Sequence, residues 1–225
     1  MKEFVFVVLL ILQGGALSIA EATESSERPA TVAQERITIY SVPLRCPLVD
    51  GLGCGSAAKP VLSELEREPS VAEAWLNHSG TKVALVWKDN AGASERAKVI
   101  ATVSKNTKLN ELSDSERENA LKDIQSGPRW YRARDVDELS GEEAENVTRR
   151  LLDSIDAAEP LPKHDRDLLL ASFTATLKRR FVEGKMSNKE VSDELFKAAR
   201  QHTGPKGIAA LEKTIREACC AAPGA

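Results

Sequence analysis

Residues 45–56 read RCPLVDGLGCGS and place two cysteines, Cys46 and Cys54, on a glycine-rich turn. The residues before this turn, RITIYSV (36–42), alternate with period two and are mostly β-branched or aromatic, which is typical of a strand. Residues 56–67, SAAKPVLSELER, begin with a serine that can cap a helix and carry apolar residues at helical spacing. The pattern predicts that both cysteines lie where a strand passes into the first turn of a helix.

This position has consequences for the two thiols. A helix N-terminus offers unpaired N–H groups and a positive dipole end, so we expect the pKa of Cys54 to be lowered. Thiolates are soft ligands for Hg(II) or Cu(I), and they are also the nucleophiles of disulfide exchange. Gly51, Gly53 and Gly55 would supply the positive φ angles that bring two sulfurs together. The pair Cys46 and Cys54 is therefore predicted to bind a soft metal, and the alternative is a structural disulfide.

The N-terminus has the features of a secretory signal. Residues 4–12 form an apolar run that is too short to span a bilayer easily, and Ser18, Ala20 and Ala22 fit a cleavage site. We expect residues 1–22 to be a signal peptide and the mature chain to be extracytoplasmic, periplasmic or secreted, with no further membrane span. Such a compartment permits disulfides, and the four cysteines are an even number.

The charge and the motifs of the sequence argue against several classes of function. The net charge of −3 removes the electrostatic case for nucleic-acid binding. No P-loop, no Ser/His/Asp constellation and no paired-carboxylate motif is present in the sequence, so there is no positive case for a hydrolase or a kinase. The sequence favours a protein that is not an enzyme.

Local patterns along the chain predict the order of the elements. Residues 71–77 and 81–88 are strand-like and flank a short turn with a glycine, which predicts a β-hairpin. A weakly helical segment at 93–103 and a helix capped at Ser113 come next, followed by an edge strand at 129–136. From residue 140 onward the periodicity is helical throughout.

These elements predict an α+β fold. Residues 23–35 are polar and are expected to be a flexible leader. Residues 36–138 are predicted to form a ferredoxin-like βαββαβ domain with one inserted helix. Residues 139–225 are predicted to form an all-helical C-terminal domain, which would dock a protein partner or a second copy of the chain.

The first half resembles the heavy-metal-associated domain family of copper chaperones, metal-transporting ATPases and periplasmic mercury-binding proteins. In that family a cysteine pair lies between the first strand and the first helix of a βαββαβ unit. Cys54 stands where the family has its second cysteine, and residues 71–77 and 83–86 stand at its second and third strands. The resemblance covers residues 36–136 apart from the insert, and it implies that Cys54 is a metal ligand. Cys46 would be the second ligand if its longer loop folds back, since seven residues separate the cysteines where the family has two.

Two further cysteines, Cys219 and Cys220, are adjacent at the end of the last predicted helix. They form either a second soft-metal or redox site, or they have no shared role, with one cysteine buried in the helix packing and the other incidental. A disulfide between them is not expected, because adjacent cysteines rarely bond each other. The three histidines, His78, His164 and His202, are dispersed, and none stands at ligand spacing from a cysteine.

The function predicted from the sequence is therefore chaperone-like binding of a soft metal, Hg(II) or Cu(I), by Cys46 and Cys54 outside the cytoplasm. A thioredoxin-like thiol–disulfide oxidoreductase is the enzymatic alternative. The third reading is a binding module in which Cys46 and Cys54 form a permanent disulfide.

Overall fold

In a computed structural model, the chain is described for residues 33–126 and 129–221. Within these ranges it forms one five-stranded antiparallel sheet and seven α-helices. The strands are β1 (Ile37–Ser41), β2 (Val71–Asn77), β3 (Lys82–Trp87), β4 (Asn110–Glu111) and β5 (Trp130–Tyr131). The helices are α1 (Gly55–Arg67), α2 (Ala93–Val103), α3 (Asp114–Ser126), α4 (Val136–Ala158), α5 (Lys163–Phe181), α6 (Asn188–His202) and α7 (Pro205–Ala221).

The predicted β-hairpin is confirmed as β2 and β3. The two strands pair in antiparallel register, with Trp75 opposite Ala84 and Leu76 opposite Val83. Gly80 closes the turn with a φ of +66°, a conformation that glycine adopts at little cost. The predicted first strand and first helix are also confirmed, as β1 and α1.

The predicted ferredoxin-like βαββαβ plan is wrong. The sheet order is β4-β1-β3-β2-β5, and the segment predicted to be the last strand of that plan pairs with β2 instead of β1. Only Trp130 and Tyr131 of this segment are strand. Its last residue, Val136, is instead the first residue of α4, and its side chain is fully buried. The edge beside β1 is taken by the two-residue β4, which lies at the end of the segment that was predicted to be an insert.

Helices cover both faces of the sheet. On one face Trp75 packs with residues of α3, including Leu121 and Ile124. The other face belongs to a larger hydrophobic cluster that runs from the sheet through α1 and α2 into α4, α5, α6 and α7. Members of this cluster from the successive elements are Trp87, Leu62, Val99, Leu151, Phe173, Leu195 and Leu211. The helical half of the chain therefore shares its core with the sheet.

Several sequence predictions fall outside the described residues. These are the signal peptide at 1–22, residues 23–32 of the leader and the end of the C-terminal domain at 222–225. In the part of the chain that is described, no helix combines the length and the apolar character needed to cross a membrane.

Candidate dithiol site

The loop that carries the cysteines is a distorted hairpin between β1 and α1, built around one isolated antiparallel bridge. Two backbone hydrogen bonds of 2.8 Å close it, one from Cys46 to Leu52 and one from Cys54 to Leu44. Residues two apart on an antiparallel ladder lie on the same face, so Cys46 and Cys54 are diagonal neighbours on one face. The folded-back loop therefore places the two predicted ligands on the same face.

The three glycines of the loop have different roles. Gly51 has a φ of +74°, as predicted, whereas Gly53 and Gly55 are not left-handed. Gly53 permits a close backbone approach, because a Cβ atom there would lie 3.0 Å from the Cα of Gly80 in the β2–β3 turn. A Cβ atom on Gly55 would lie 2.7 Å from the backbone nitrogen of Ser140 on α4. The absence of a side chain at Gly53 and Gly55 therefore lets the cysteine loop pack closely against the β2–β3 turn and α4.

Helix α4 brings a buried carboxylate to the thiols. Glu143 is 2% exposed, and its Oε2 accepts a 3.0 Å hydrogen bond from the backbone N–H of Gly55. The same carboxylate acts electrostatically on the thiols of Cys46 and Cys54. The site therefore consists of two thiols, one backbone N–H and one carboxylate. Cys46 is buried within it and Cys54 is half-buried.

Burial controls the protonation of this site. It raises the pKa of Glu143 to about 7, against the opposing effect of the hydrogen bonds from Cys54, Cys46 and Gly55. Burial and the charge of Glu143 raise the pKa of Cys46 to about 12 and that of Cys54 to about 11. The prediction that the helix N-terminus lowers the pKa of Cys54 is therefore wrong. Desolvation and the carboxylate outweigh the local hydrogen bonds, including the one from Ser56.

The sequence prediction missed Glu143, which lies 88 residues after Gly55 in the chain. A signal for it does exist in the sequence. Leu139, Glu143, Val147 and Leu151 recur every four residues on α4, and all four are buried. A charged residue on an otherwise apolar stripe of a helix needs a buried partner, and the two thiols provide it.

Glu142, the neighbour of Glu143, faces a different set of groups. Its Oε1 lies 3.1 Å from Nε2 of His78, and its Oε2 accepts a 2.8 Å hydrogen bond from Arg129. His78 also belongs to the β2–β3 turn, where its carbonyl accepts a 2.7 Å hydrogen bond from Gly53. Glu142 thus ties α4 to this turn without contacting the thiols in any hydrogen bond described.

Cys46 and Cys54 are free thiols, and their sulfurs are not at disulfide distance. No group of three or more His, Cys, Asp and Glu side chains arranged to hold a metal is found within 33–126 and 129–221. Helix α7 extends through Cys219 and Cys220, but their side chains lie outside the described part of the structure. The second site predicted there stays a prediction.

In comparisons with family models, curated proteins and solved structures, nothing matches this chain. The resemblance to the heavy-metal-associated domain family therefore stays a prediction.

Proposed function

We propose that the protein binds one thiophilic metal ion, Hg(II) or Cu(I), between the Sγ atoms of Cys46 and Cys54. The observation that carries this proposal is that the loop folds back on the bridge between Arg45 and Gly53, with backbone hydrogen bonds from Cys46 to Leu52 and from Cys54 to Leu44, so that both cysteines lie on one face of the loop. On binding, two S–H bonds break, two metal–sulfur bonds form and two protons leave to solvent. No oxidation state changes.

The backbone spacing of the cysteines supports a bridging metal over a disulfide. Diagonal neighbours on an antiparallel ladder have Cα atoms about 7–8 Å apart. A disulfide requires Cα atoms about 4.4–6.8 Å apart, so Cys46 and Cys54 would have to shift to form one. A bridging metal adds two bonds of about 2.3 Å to the span between the sulfurs, which suits the wider spacing.

The protonation of the thiols supports a thiophilic ion over a hard one. Because the pKa values of Cys46 and Cys54 are raised to about 12 and about 11, both thiols are protonated at neutral pH. A metal must displace these protons, and only an ion that bonds strongly to sulfur recovers that cost. Oxygen-seeking ions such as Mg(II) or Ca(II) have no such gain here.

A second candidate function is thiol–disulfide exchange, the enzymatic alternative raised by the sequence. It is favoured by the unequal exposure of the cysteines, because half-buried Cys54 suits the attacking thiol and buried Cys46 the resolving one. In this reaction the two thiols give two electrons and two protons to a substrate disulfide, which becomes a dithiol. For this reaction the Cα atoms of Cys46 and Cys54 would have to move closer together, because the oxidised form is a disulfide between them.

Native mass spectrometry tests the proposal directly. Residues 23–225 carrying Cys219→Ser and Cys220→Ser would be reduced, and Hg(II) or Cu(I) would be added anaerobically. We expect one metal per chain, lost when Cys46→Ala and Cys54→Ala are combined. If no metal is retained, the proposal fails. If the untreated chain is two hydrogen masses lighter than the reduced one, and the reduced chain reduces a substrate disulfide, the result would instead support the second candidate.

A further inference from the structure

We infer that the chain forms a two-fold symmetric dimer in which α5 of one copy packs against α5 of the other. The contact surface is a groove between α4 and α5, lined by residues of these two helices. The partner is therefore a second copy of the chain, and the dimer does not depend on the proposed metal site.

The floor of the groove leaves apolar surface uncovered. Leu170 is 38% exposed, although its neighbour Leu169 is fully buried in the hydrophobic cluster of the chain. Leu170 shares the floor with three small residues of the same helix, Ala171, Thr174 and Ala175. Apolar surface that is rimmed by charged residues is typical of a contact with another protein. Small side chains also let a second helix approach to about 8 Å.

The charges on the rim are unevenly distributed along the groove. At one end, Lys178 donates a 2.9 Å hydrogen bond to Glu145, and Arg149 lies 3.7 Å from the same carboxylate. One acidic side chain therefore faces two basic ones there, which leaves one positive charge in excess. Toward the other end lies Asp167, which has no ion-pair partner among the described residues. Each end of the groove thus carries a charge that the other end complements.

Four residues of the groove form one continuous row along α5. Asp167, Ala171, Thr174 and Lys178 follow one another at intervals of four, three and four residues, so they share a helix face. The two inner positions of the row hold small residues, and its two ends hold opposite charges. The row is therefore complementary to itself when it is read in the reverse direction.

A two-fold axis brings the row into this reversed alignment. If the axis crosses α5 between positions 172 and 173, the two copies of the helix run antiparallel, and positions equally far from that point come to the same level. Asp167 and Lys178 are equally far from it, so each aspartate lies beside the lysine of the other copy. Ala171 and Thr174 are also equally far from it, so the helices approach closely between small side chains. This match of charge and size identifies a second copy of the chain as the occupant of the groove.

Sedimentation equilibrium under reducing conditions tests the dimer on residues 23–225 carrying Cys219→Ser and Cys220→Ser. We expect a reversible monomer–dimer equilibrium. Leu170→Lys should raise its dissociation constant by about tenfold or more, because two added charges meet near the axis. Leu168→Lys is the matched control, since Leu168 is 42% exposed but points away from the groove, as residues two apart on a helix do not share a face. It should change the constant by less than about twofold.

The charge pairs provide a second, independent test. Asp167→Lys and Lys178→Glu should each weaken the dimer, because each places like charges beside one another at both ends of the contact. Mixed in equal amounts, the two variants should form a heterodimer in which both pairs are again opposite in charge. Glu118→Lys reverses an exposed acidic residue of α3 outside the groove, so it should change the dissociation constant by less than about twofold.

The outcomes separate the dimer from the other occupants of the groove. A parent that stays monomeric at every concentration would leave the groove to another segment or another protein, and it overturns the inference. So does a dimer that Leu170→Lys and Leu168→Lys weaken equally, or one that mixing the charge variants does not restore. If circular dichroism shows that Leu170→Lys does not fold, the charge variants decide. The dimer is measured without added metal, so failure of the parent to bind Hg(II) or Cu(I) overturns the proposed function alone.

Discussion

Glu143 connects the two halves of the chain at the level of a single side chain. It belongs to α4, accepts a hydrogen bond from the first residue of α1 and raises the pKa of both thiols of the preceding loop. A carboxylate buried to this degree, with no basic partner described, is costly to ionise. The protein therefore carries an unfavourable group in its core, which is common where a site serves a function.

The ionisation of Glu143 makes the stability of the fold depend on pH. Its pKa rises from 4.5 in the unfolded chain to about 7 in the folded one, so the folded state holds the proton more tightly. The free energy of unfolding should therefore fall as the pH rises from 4.5 to 7 and then level off. The full loss from this group is about 3 kcal/mol.

Glu143→Gln provides the reference for this prediction, because glutamine has no proton to lose in this range. Urea unfolding at several pH values should give two curves whose separation changes between pH 4.5 and 7 and is constant above. Parallel curves across that range would show that Glu143 ionises normally in the folded protein.

At this scale the sequence correctly located Cys46 and Cys54 on one loop between a strand and a helix, but it did not reveal Glu143. The position of both cysteines on this loop follows from the local strand and helix patterns. The contact between Glu143 and Gly55 depends on how α4 packs on α1, which no local pattern specifies. The pKa of Cys54 was predicted in the wrong direction for the same reason, since the helix dipole is a local effect and burial is not.

At the scale of elements, the packing of α1 on α4 depends on the absence of a side chain at Gly55. A Cβ atom there would overlap the Oγ of Ser140 and lie 2.7 Å from its backbone nitrogen. Because backbone atoms cannot move aside locally, Gly55→Ala should destabilise the protein by about 1–3 kcal/mol.

Gly141 provides a matched control on α4. A Cβ atom there would meet nothing within 4 Å, and the residue lies inside the helix. Gly141→Ala should therefore stabilise the protein by about 0.5–1 kcal/mol through helix propensity. Chemical unfolding of both variants measures these changes. Equal effects of the two substitutions would contradict the packing described for α1 and α4.

Element types were predicted better than element partners. The hairpin of β2 and β3 and the four C-terminal helices follow from period-two and period-3.6 patterns within each segment. The pairing of β5 with β2 joins Leu76 to Tyr131 across more than fifty residues of intervening chain, and a two-residue strand carries too little pattern to specify its neighbour. The ferredoxin-like assignment failed at this step.

The whole molecule is organised around one hydrophobic cluster that includes the sheet and the C-terminal helices. Leu62 and Leu65 of α1 are fully buried in this cluster, to which α4 contributes Val147 and Leu151. By contrast, the ion pair between Lys59 and Asp137 on the same two helices is about 40% exposed and contributes less than about 1 kcal/mol. Apolar burial is therefore what joins the two halves.

Removal of the C-terminal helices should consequently prevent the sheet from folding. Residues 23–138, the first two predicted segments of the mature chain, would expose the apolar face of α1 and lose Glu143 altogether. We expect this fragment to lack near-ultraviolet circular dichroism and a cooperative unfolding transition, unlike residues 23–225. Cooperative unfolding of the fragment would show that the sheet is a separate domain.

X-ray absorption at the mercury edge, on residues 23–225 with Cys219→Ser and Cys220→Ser, would show whether Cys46 and Cys54 hold a metal together, as proposed. We expect two sulfur neighbours around one Hg(II), reduced to one sulfur by Cys46→Ser and by Cys54→Ser alike. A spectrum that either serine variant leaves unchanged would contradict the proposal, because the metal would then be bound elsewhere.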